Sequence, residues 1–357
     1  MPNQKNIRFF DMFAGIGGFR AGLERAGGFT CVGHCEIDKH ADRAYRAIHN
    51  IKPNEIFYDN ATTINPKIMP DFDLLTGGFP CQSFSIAGKR RGFDDARGTL
   101  FFEIAKVART KRPTYILLEN VPGLLSHDQG RTFAAILSTL CDLGYSVEWQ
   151  VLNSKDFGVP QSRRRVYIVG CLGGRCAGKI LPFRGTNPEA LKLLVNGRQG
   201  SRVYGTDGVS PTILTKSDRT GLYAVSNPRK VLMIKEATKS GRKAASPGDS
   251  VDLSFADQNT RRGRVGRKIA HTLSTSSLQG VVTNNLRLRR LTPRECFRLQ
   301  GFSEPQIDKL LSVDSDTQAY KQAGNAVTVN IVHAIGLRLQ AAHRAAVKAE
   351  VARKEAA

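Results

Sequence analysis

The chain has 357 residues, enough for one large domain and a smaller one, and an apolar share of 41% that can supply a sizeable core. Its 53 Lys and Arg against 31 Asp and Glu leave a formal net charge of +22, a field that attracts polyanions and fits nucleic acid best as a partner. No signal peptide opens the chain and no apolar run reaches the roughly 18 residues of a membrane span, so a cytoplasmic protein with no membrane contact is expected. The cysteines sit singly apart from Cys31/Cys35 and Cys171/Cys176, and neither pair has a second pair or clustered histidines at zinc-ligand spacing. No metal is therefore expected, and reduced thiols account for the cysteines.

Residues 1–171 alternate strand-like and helix-like patterns. Ile7–Phe13 is an apolar run that ends in a glycine turn, and Cys31–Glu36, Asp73–Thr76, Tyr115–Glu119 and Val166–Gly170 read as further buried strands. Helical patterns such as Leu100–Arg109 and Thr132–Leu143 lie between them. Strands separated by crossover helices predict an α/β fold with a parallel sheet covered on both faces, its function at the carboxyl ends of the strands. From 172 to 290 glycines, Thr/Ser pairs and basic residues become frequent, which predicts a smaller β-rich or irregular domain. The stretch 261–294 carries many basic residues and no acidic one. Residues 291–357 turn helical again, with Thr328–Glu350 as one long Ala-rich helix packed back on the first domain. A weak repeat places Val209–Thr215 and Ile269–Thr275 sixty positions apart, each followed by a Gly-led apolar triplet. Two similar hairpins without a shared role would give the same pattern.

Three loops carry chemistry. Asp11–Phe19 follows the first strand, and its glycines let the backbone turn sharply and approach a ligand. A dinucleotide fingerprint would put a third glycine where Arg20 stands, which disfavours a nicotinamide oxidoreductase and favours a ligand without phosphates. Glu36, at the end of the second strand, suits ribose hydroxyls. Gly77–Ser85 places Cys81 on a loop at a strand's carboxyl end, and the following Lys89, Arg90 and Arg91 favour the thiolate. An inert loop cysteine is the alternative. Glu119 stands where a strand runs into a turn. Desolvation there raises a carboxyl pKa, so it could hold a proton at a ring nitrogen, or merely cap the turn. Arg163, Arg164 and Arg165 precede the next strand and suit phosphate or carboxylate contacts, or form a solvated basic face.

Taken together and in this order, the segments resemble the bacterial DNA (cytosine-5)-methyltransferase family. The likeness rests on Phe-x-Gly-x-Gly-Gly, Pro80-Cys81-Gln82, Glu119-Asn120-Val121 and Gln161-x-Arg163-x-Arg165. It continues, beyond a variable region, through Leu291–Cys296 and Gln322–Val327. The resemblance implies a Rossmann-like S-adenosylmethionine-dependent methyltransferase domain at 1–171, a target-recognition domain at 172–290, and a segment at 291–357 that completes the first. It implies that Cys81 attacks C6 of a flipped-out cytosine and that Glu119 engages N3 and the exocyclic amine. Arg163 and Arg165 then support the base and its loop. S-adenosylmethionine gives its methyl group to C5, leaving 5-methylcytosine. Family cofactor positions map to Phe13, Gly15, Gly17, Glu36, Asp59, Pro80 and Asn325. Ala326 stands where many members have serine.

Gln82, Ser85, Lys89 and Arg97, on or near the Cys81 loop, are expected to contact DNA. So are Thr212 and Thr272, at equivalent places in the repeat, while Arg264 and Arg267, with Arg261 and Arg262, neutralise phosphates. The expected partner is double-stranded DNA, bound by a monomer at the nucleoid. A cognate restriction endonuclease acting on the same site is a further partner such a protein can have. A transfer-RNA methyltransferase of the same superfamily would carry Cys-Phe-Thr, and this chain has Cys296-Phe297-Arg298. A binding-only protein would have no need of Cys81, Glu119 and the arginine pair together.

Overall fold

Seven strands form one sheet: β1 (Ile7–Met12), β2 (Phe29–Cys35), β3 (Ile56–Tyr58), β4 (Leu74–Gly78), β5 (Tyr115–Asn120), β6 (Tyr145–Asn153) and β7 (Arg164–Leu172). Their order is β3-β2-β1-β4-β5-β7-β6. The structure is a computed structural model that describes residues 6–80, 100–174, 176, 178–183, 193–195, 203–204, 231–237, 240–254, 264–275 and 278–355. Helices α1 (Gly18–Ala26), α2 (Lys39–Ile48), α3 (Leu100–Lys111) and α4 (Arg131–Asp142) cover the sheet.

Alternation along the strands builds two cores. Phe10, Met12, Leu75, Ile116 and Leu118 point to one face, where they meet Phe101, Ile104 and Ile136 of α3 and α4. Ile7, Phe9, Leu74, Tyr115 and Leu117 point to the other, where they meet Phe19 and Leu23 of α1. Each such side chain contributes about 1.5–3 kcal/mol when fully buried. A strand apolar on both faces is the mark of a sheet covered on both sides, and all six residues of β5 are buried.

The sheet is mixed, not wholly parallel as the alternation predicts. β7 runs antiparallel to both β5 and β6. Only residues 154–163 join β6 to β7, with a single short helical turn at Ser154–Phe157. Without a crossover helix the chain can only return antiparallel. β6 itself escapes the sequence pattern because it is an edge strand of mostly half-buried residues, with Trp149 at 45% exposure.

Beyond β7 the chain is β-rich, as expected. β8 (Leu193–Val195) pairs with β9 (Val203–Tyr204), and β10 (Leu232–Lys235) with β11 (Arg242–Ala245). β12 (Ser250–Asp252), β13 (Val265–Gly266), β14 (Gln279–Val282) and β15 (Leu288–Arg290) form an antiparallel sheet in the order β13-β12-β14-β15. Ile234, Ala245, Val251, Val265 and Val282 make its small core. The first copy of the repeat, with Thr212, lies outside the described residues. The second is not a hairpin: residues 269–275 run as an extended segment whose Ala270 bridges Gln161 of the first domain.

Cys171 and Cys176 lie side by side, their Cα atoms 5.9 Å apart. Gly173 and Gly174, both with positive φ, turn the chain back at the end of β7 and bring the two together.

Helices α5 (Pro293–Gln300), α6 (Glu304–Leu311), α7 (Asp316–Asn325) and α8 (Val329–Glu355) close the fold. Thr292 starts α5 in a capping box with Glu295. Phe297, Ile307 and Ala323 pack on Ile16, Ala44 and Ile48, so the last segment does return to the first domain. α8 lies along α1, and Gly22 makes that approach possible. A Cβ there would stand 2.7 Å from Val332 Cγ1 and 2.9 Å from the Val329 carbonyl oxygen. Because backbone cannot swing aside, Gly22→Ala should lower the unfolding free energy by about 1–3 kcal/mol. Urea titration checks this, and an unchanged midpoint would show that the helices can slide apart at little cost.

Candidate active site

The loop after β1 is built on left-handed backbone, with φ of 53° at Phe13, 55° at Gly15 and 82° at Gly17. Glycine takes that conformation freely. Phe13, which has a Cβ, is held there at a cost of order 1–3 kcal/mol. Gly17 caps α1, and a side chain on it would collide with the His49 ring. Arg20 occupies the third-glycine position with its guanidinium buried and paired. It donates to Glu24 at 2.7 Å and Glu55 at 2.6 Å.

At the carboxyl ends of β1, β2, β4 and β5 lies a cavity of about 440 Å³. Phe13–Ile16 form one wall, Glu36–Asp38 with Asn60 and Ala61 a second, and Gly78–Pro80 with Glu119–Val121 the floor. Arg163 and Arg165, with Lys321, Gln322, Gly324 and Asn325 at the end of α7 and Ala326 and Val327 after it, complete it. The structure thus gathers Phe13, Gly15, Glu36, Pro80 and Asn325 around one space with Glu119, Arg163 and Arg165. Gly17 is outside that lining and serves the turn. Asp59 is exposed and outside it too, and its neighbour Asn60 takes the place on the wall. Cys81, Gln82, Ser85, Lys89 and Arg97 lie outside the described residues, although Pro80, next to Cys81, faces the cavity.

Glu36 is aimed by backbone. Its Oε2 accepts from the Gly15 amide at 2.7 Å and its Oε1 from the Asp38 amide at 2.8 Å. Burial raises its pKa, and the backbone hydrogen bonds oppose the rise. A carboxylate has lone pairs left after two such bonds, and a Cβ on Gly15 would meet nothing within 4 Å. Open space before a fixed acceptor is what a nucleoside needs, so these residues fit S-adenosylmethionine.

Glu119 is 8% exposed at the end of β5, with Arg165 Nε 3.0 Å from its Oε1. Burial pushes its carboxyl above the ordinary range, against the pull of Arg165 and Arg163. Its Oε2 lies 3.6 Å from where a Cβ on Gly78 would be, so the acid faces the end of β4. Asn120, which the sequence reading left without a role, donates from Nδ2 to the Phe79 carbonyl at 2.9 Å. That bond fixes the chain just before Pro80-Cys81. The signal was present in Glu119-Asn120-Val121, where only the acid was assigned.

Arg163 differs from expectation. It is 2% exposed, and it donates to the carbonyls of Leu273 at 3.3 Å and Ala326 at 3.0 Å. Burial, with Arg165 alongside, pulls its pKa down to about 10. It is a tie between three segments. The segment around Thr272 is stitched to the same place. Ser162 N donates to the Ala270 carbonyl at 2.8 Å, and Leu273 N donates to Gln161 Oε1 at 3.1 Å. Thr272 is exposed, and its Oγ1 donates to the Ser162 carbonyl at 2.9 Å. Gly324 permits the contact, since a Cβ there would be 2.6 Å from the Ser274 carbonyl.

Arg264 is a second correction. It is buried, and its guanidinium donates to the carbonyls of Asp252 and Lys235, so it holds the small domain together and presents no charge to phosphate. Arg267 is exposed, as a phosphate contact requires. Among the described residues no group of three or more His, Cys, Asp or Glu is placed to hold a metal, and no helix is long and apolar enough to cross a membrane.

Fold and site together define a Rossmann-like S-adenosylmethionine-dependent methyltransferase. Residues 7–341 match the model of the C-5 cytosine-specific DNA methylase family, and the chain belongs to that family. It is a DNA (cytosine-5)-methyltransferase. It is 39% identical over 339 residues to the Type II methyltransferase M1.ScrFI of Lactococcus lactis subsp. cremoris, covering 94% of this chain and 79% of that one. It is 34% identical to the Type II methyltransferase M.HhaI of Haemophilus parahaemolyticus, over 93% and 94% of the two chains. The orphan methyltransferase M.SPRI of Bacillus phage SPR shares 32% over 92% and 96%. Among solved structures, the Dnmt2 methyltransferase of S. pombe superposes with a TM-score of 0.54 at 19% identity, over 94% and 99% of the chains. At that identity the likeness speaks for the fold alone.

One buried acid beneath the cofactor loop gives a pH test. Asp11 is fully buried at the end of β1, and Thr76 Oγ1 donates to its Oδ1 at 2.7 Å. Burial raises its pKa from 3.8 to about 7, against the Thr76 hydrogen bond. The folded state therefore holds this proton more tightly than the unfolded one. The stability it contributes is fully present below about pH 4 and is lost as pH rises through about 7. Asp11→Asn should flatten the fall in urea midpoint between about pH 4 and about pH 7. An equal slope in both proteins would show that Asp11 ionises in the fold at its ordinary value.

Proposed function

We propose that the protein methylates C5 of a cytosine flipped out of duplex DNA, with Cys81 as nucleophile and Glu119 as the acid at N3. The observation that carries the reading is the placement of Glu119, buried, ion-paired to Arg165 and aimed at the strand end that leads through Pro80 into Cys81. C6 of a stacked base is out of reach of a protein thiol, so the base must leave the helix. Its Watson–Crick edge then faces Glu119, whose raised pKa suits it to carry a proton.

The Cys81 thiolate adds to C6 while Glu119 gives its proton to N3, and the C5–C6 double bond becomes an electron-rich enamine with nucleophilic C5. S-adenosylmethionine, when bound, supplies the methyl group that C5 takes up. Loss of the C5 proton to a base then expels the Cys81 sulfur from C6, restores the double bond and returns a proton to Glu119. Arg165 holds the Glu119 carboxylate in place between these steps, and Glu36, Phe13, Gly15, Pro80 and Asn325 hold the cofactor. Asp59, beside Asn60, belongs to the rim of that site.

We assign catalysis and cofactor binding to residues 1–171 and 291–357, and target recognition to 172–290. Arg267, Gln82, Ser85, Lys89, Arg97 and Thr212 are the residues proposed to face DNA. The chain acts as a monomer on DNA in the cytoplasm. Type II relatives and a phage orphan both lie within its range of similarity, so it serves beside a restriction endonuclease or alone.

Duplex DNA carrying 5-fluorocytosine at the target, which has no C5 proton to lose, should trap the protein in an adduct that survives a denaturing gel. Cys81→Ser should form none, and an adduct with that variant would remove Cys81 from the mechanism. Glu119→Gln should slow methyl transfer by about 10²-fold or more while S-adenosylmethionine binds as before. If binding weakened and the rate held, Glu119 would belong to the cofactor site instead.

A further inference from the structure

Two residues that line the cavity, Asp38 before α2 and Lys321 on α7, stand 283 positions apart in the chain and form an ion pair. Lys321 Nζ donates to Asp38 Oδ2 at 2.8 Å. Asp38 is fixed on its own side. Its Oδ1 caps α2, accepting from the His40 amide at 2.9 Å and the Ala41 amide at 3.4 Å. Its own amide donates to Glu36 Oε1 at 2.8 Å. The pair therefore runs from α7 to the residue that helps to aim Glu36. A second pair, between Arg43 of α2 and Asp314 just before α7, ties the same two parts of the chain. Behind both, Ala41, Ala44 and Ile48 of α2 share one apolar core with Ala319 and Ala323 of α7. That core already joins the helices, and an ion pair as exposed as Lys321–Asp38 adds little to stability. What distinguishes it is its place, between two walls of the cavity.

We propose that Lys321 and Asp38 form a clasp that holds the α7 wall to the Glu36 wall and so sets how tightly the cofactor is kept. The proposal rests on the cofactor reading of the cavity given above. Both are positioning residues: Lys321 acts through Asp38, and Asp38 through Glu36. Walls joined beforehand need not be ordered by the ligand, and a site ordered beforehand binds more tightly. The rival role for an ammonium on this wall is direct contact with the carboxylate at the amino-acid end of the cofactor. The two roles separate by ligand, because 5′-methylthioadenosine keeps the nucleoside and lacks the amino-acid end.

Binding of S-adenosylhomocysteine and of 5′-methylthioadenosine would be measured by calorimetry for the full chain without DNA. Lys321→Met should weaken both ligands by the same factor, about threefold to fivefold, the scale of a partly exposed ion pair. Lys321→Arg keeps the charge and should stay near the parent value. Asp38→Asn keeps the helix cap, since Asn caps as well as Asp, and should weaken both ligands in the same direction. The double variant Lys321→Met, Asp38→Asn should bind no more weakly than Lys321→Met alone, because the clasp is lost only once. A loss for S-adenosylhomocysteine with 5′-methylthioadenosine unchanged would overturn the clasp and place Lys321 on the cofactor itself. Losses that add in the double variant would overturn it too, since the two residues would then act separately. Thermal unfolding of the ligand-free proteins separates a binding role from a structural one. A lowered Tm in Lys321→Met with parent affinity for both ligands would make the pair a support of the fold alone and overturn the proposal. If Lys321→Met does not fold, Asp38→Asn carries the test, and its parent affinity for both ligands would likewise overturn the clasp. Failure of the unaltered protein to bind either ligand would instead refute the cofactor reading itself.

Discussion

A guanidinium removed from water must find acceptors, and the neighbourhood of Arg163 is arranged around that need. Its two terminal nitrogens hold the Leu273 carbonyl and the Ala326 carbonyl. One belongs to the extended segment leaving the small domain, the other to the loop that follows Asn325 at the end of α7. Arg163 itself starts from the connection between β6 and β7, and its next-but-one neighbour Arg165 meets Glu119. A single buried charge therefore sets the spacing between the chemical centre, the cofactor wall and the region assigned to target recognition. Removing it would leave two carbonyls unpaired and a void among three segments.

The same logic runs through the glycines that matter. Gly22 lets α8 lie on α1, and Gly324 lets the Ser274–Thr275 backbone cross the end of α7. At both points the chains come so close that a methyl group would stand in the way. Left-handed glycines and Phe13 turn the chain at the end of β1 so that α1 can start immediately, with its amides next to the cavity. Function lies at the carboxyl edge of the sheet because that is where these turns bring chain ends together.

Much of this was legible in the sequence, and the limits have physical causes. β1, β4 and β5 are apolar on both faces and stand out as runs. β6 alternates weakly because one edge is wet, and with it the antiparallel return of β7 was hidden. Glu36, Glu119, Arg165 and Asn325 could be named because their motifs have fixed spacing. Arg163 and Arg264 could not be told from surface arginines, since a basic residue reads the same whether it meets phosphate or a buried carbonyl. Asn120 stands inside a legible motif, but its role depends on which backbone lies behind it. Only tertiary contact supplies that.

The central claim is that this chain marks cytosine at C5 through Cys81. Bisulfite sequencing of DNA from cells expressing the protein tests it most directly, because only C5-methylated cytosine resists conversion. The account predicts full protection at one cytosine within a fixed short sequence, and none in cells expressing Cys81→Ser. Complete conversion with the unaltered protein, or protection that persists with the variant, would contradict it.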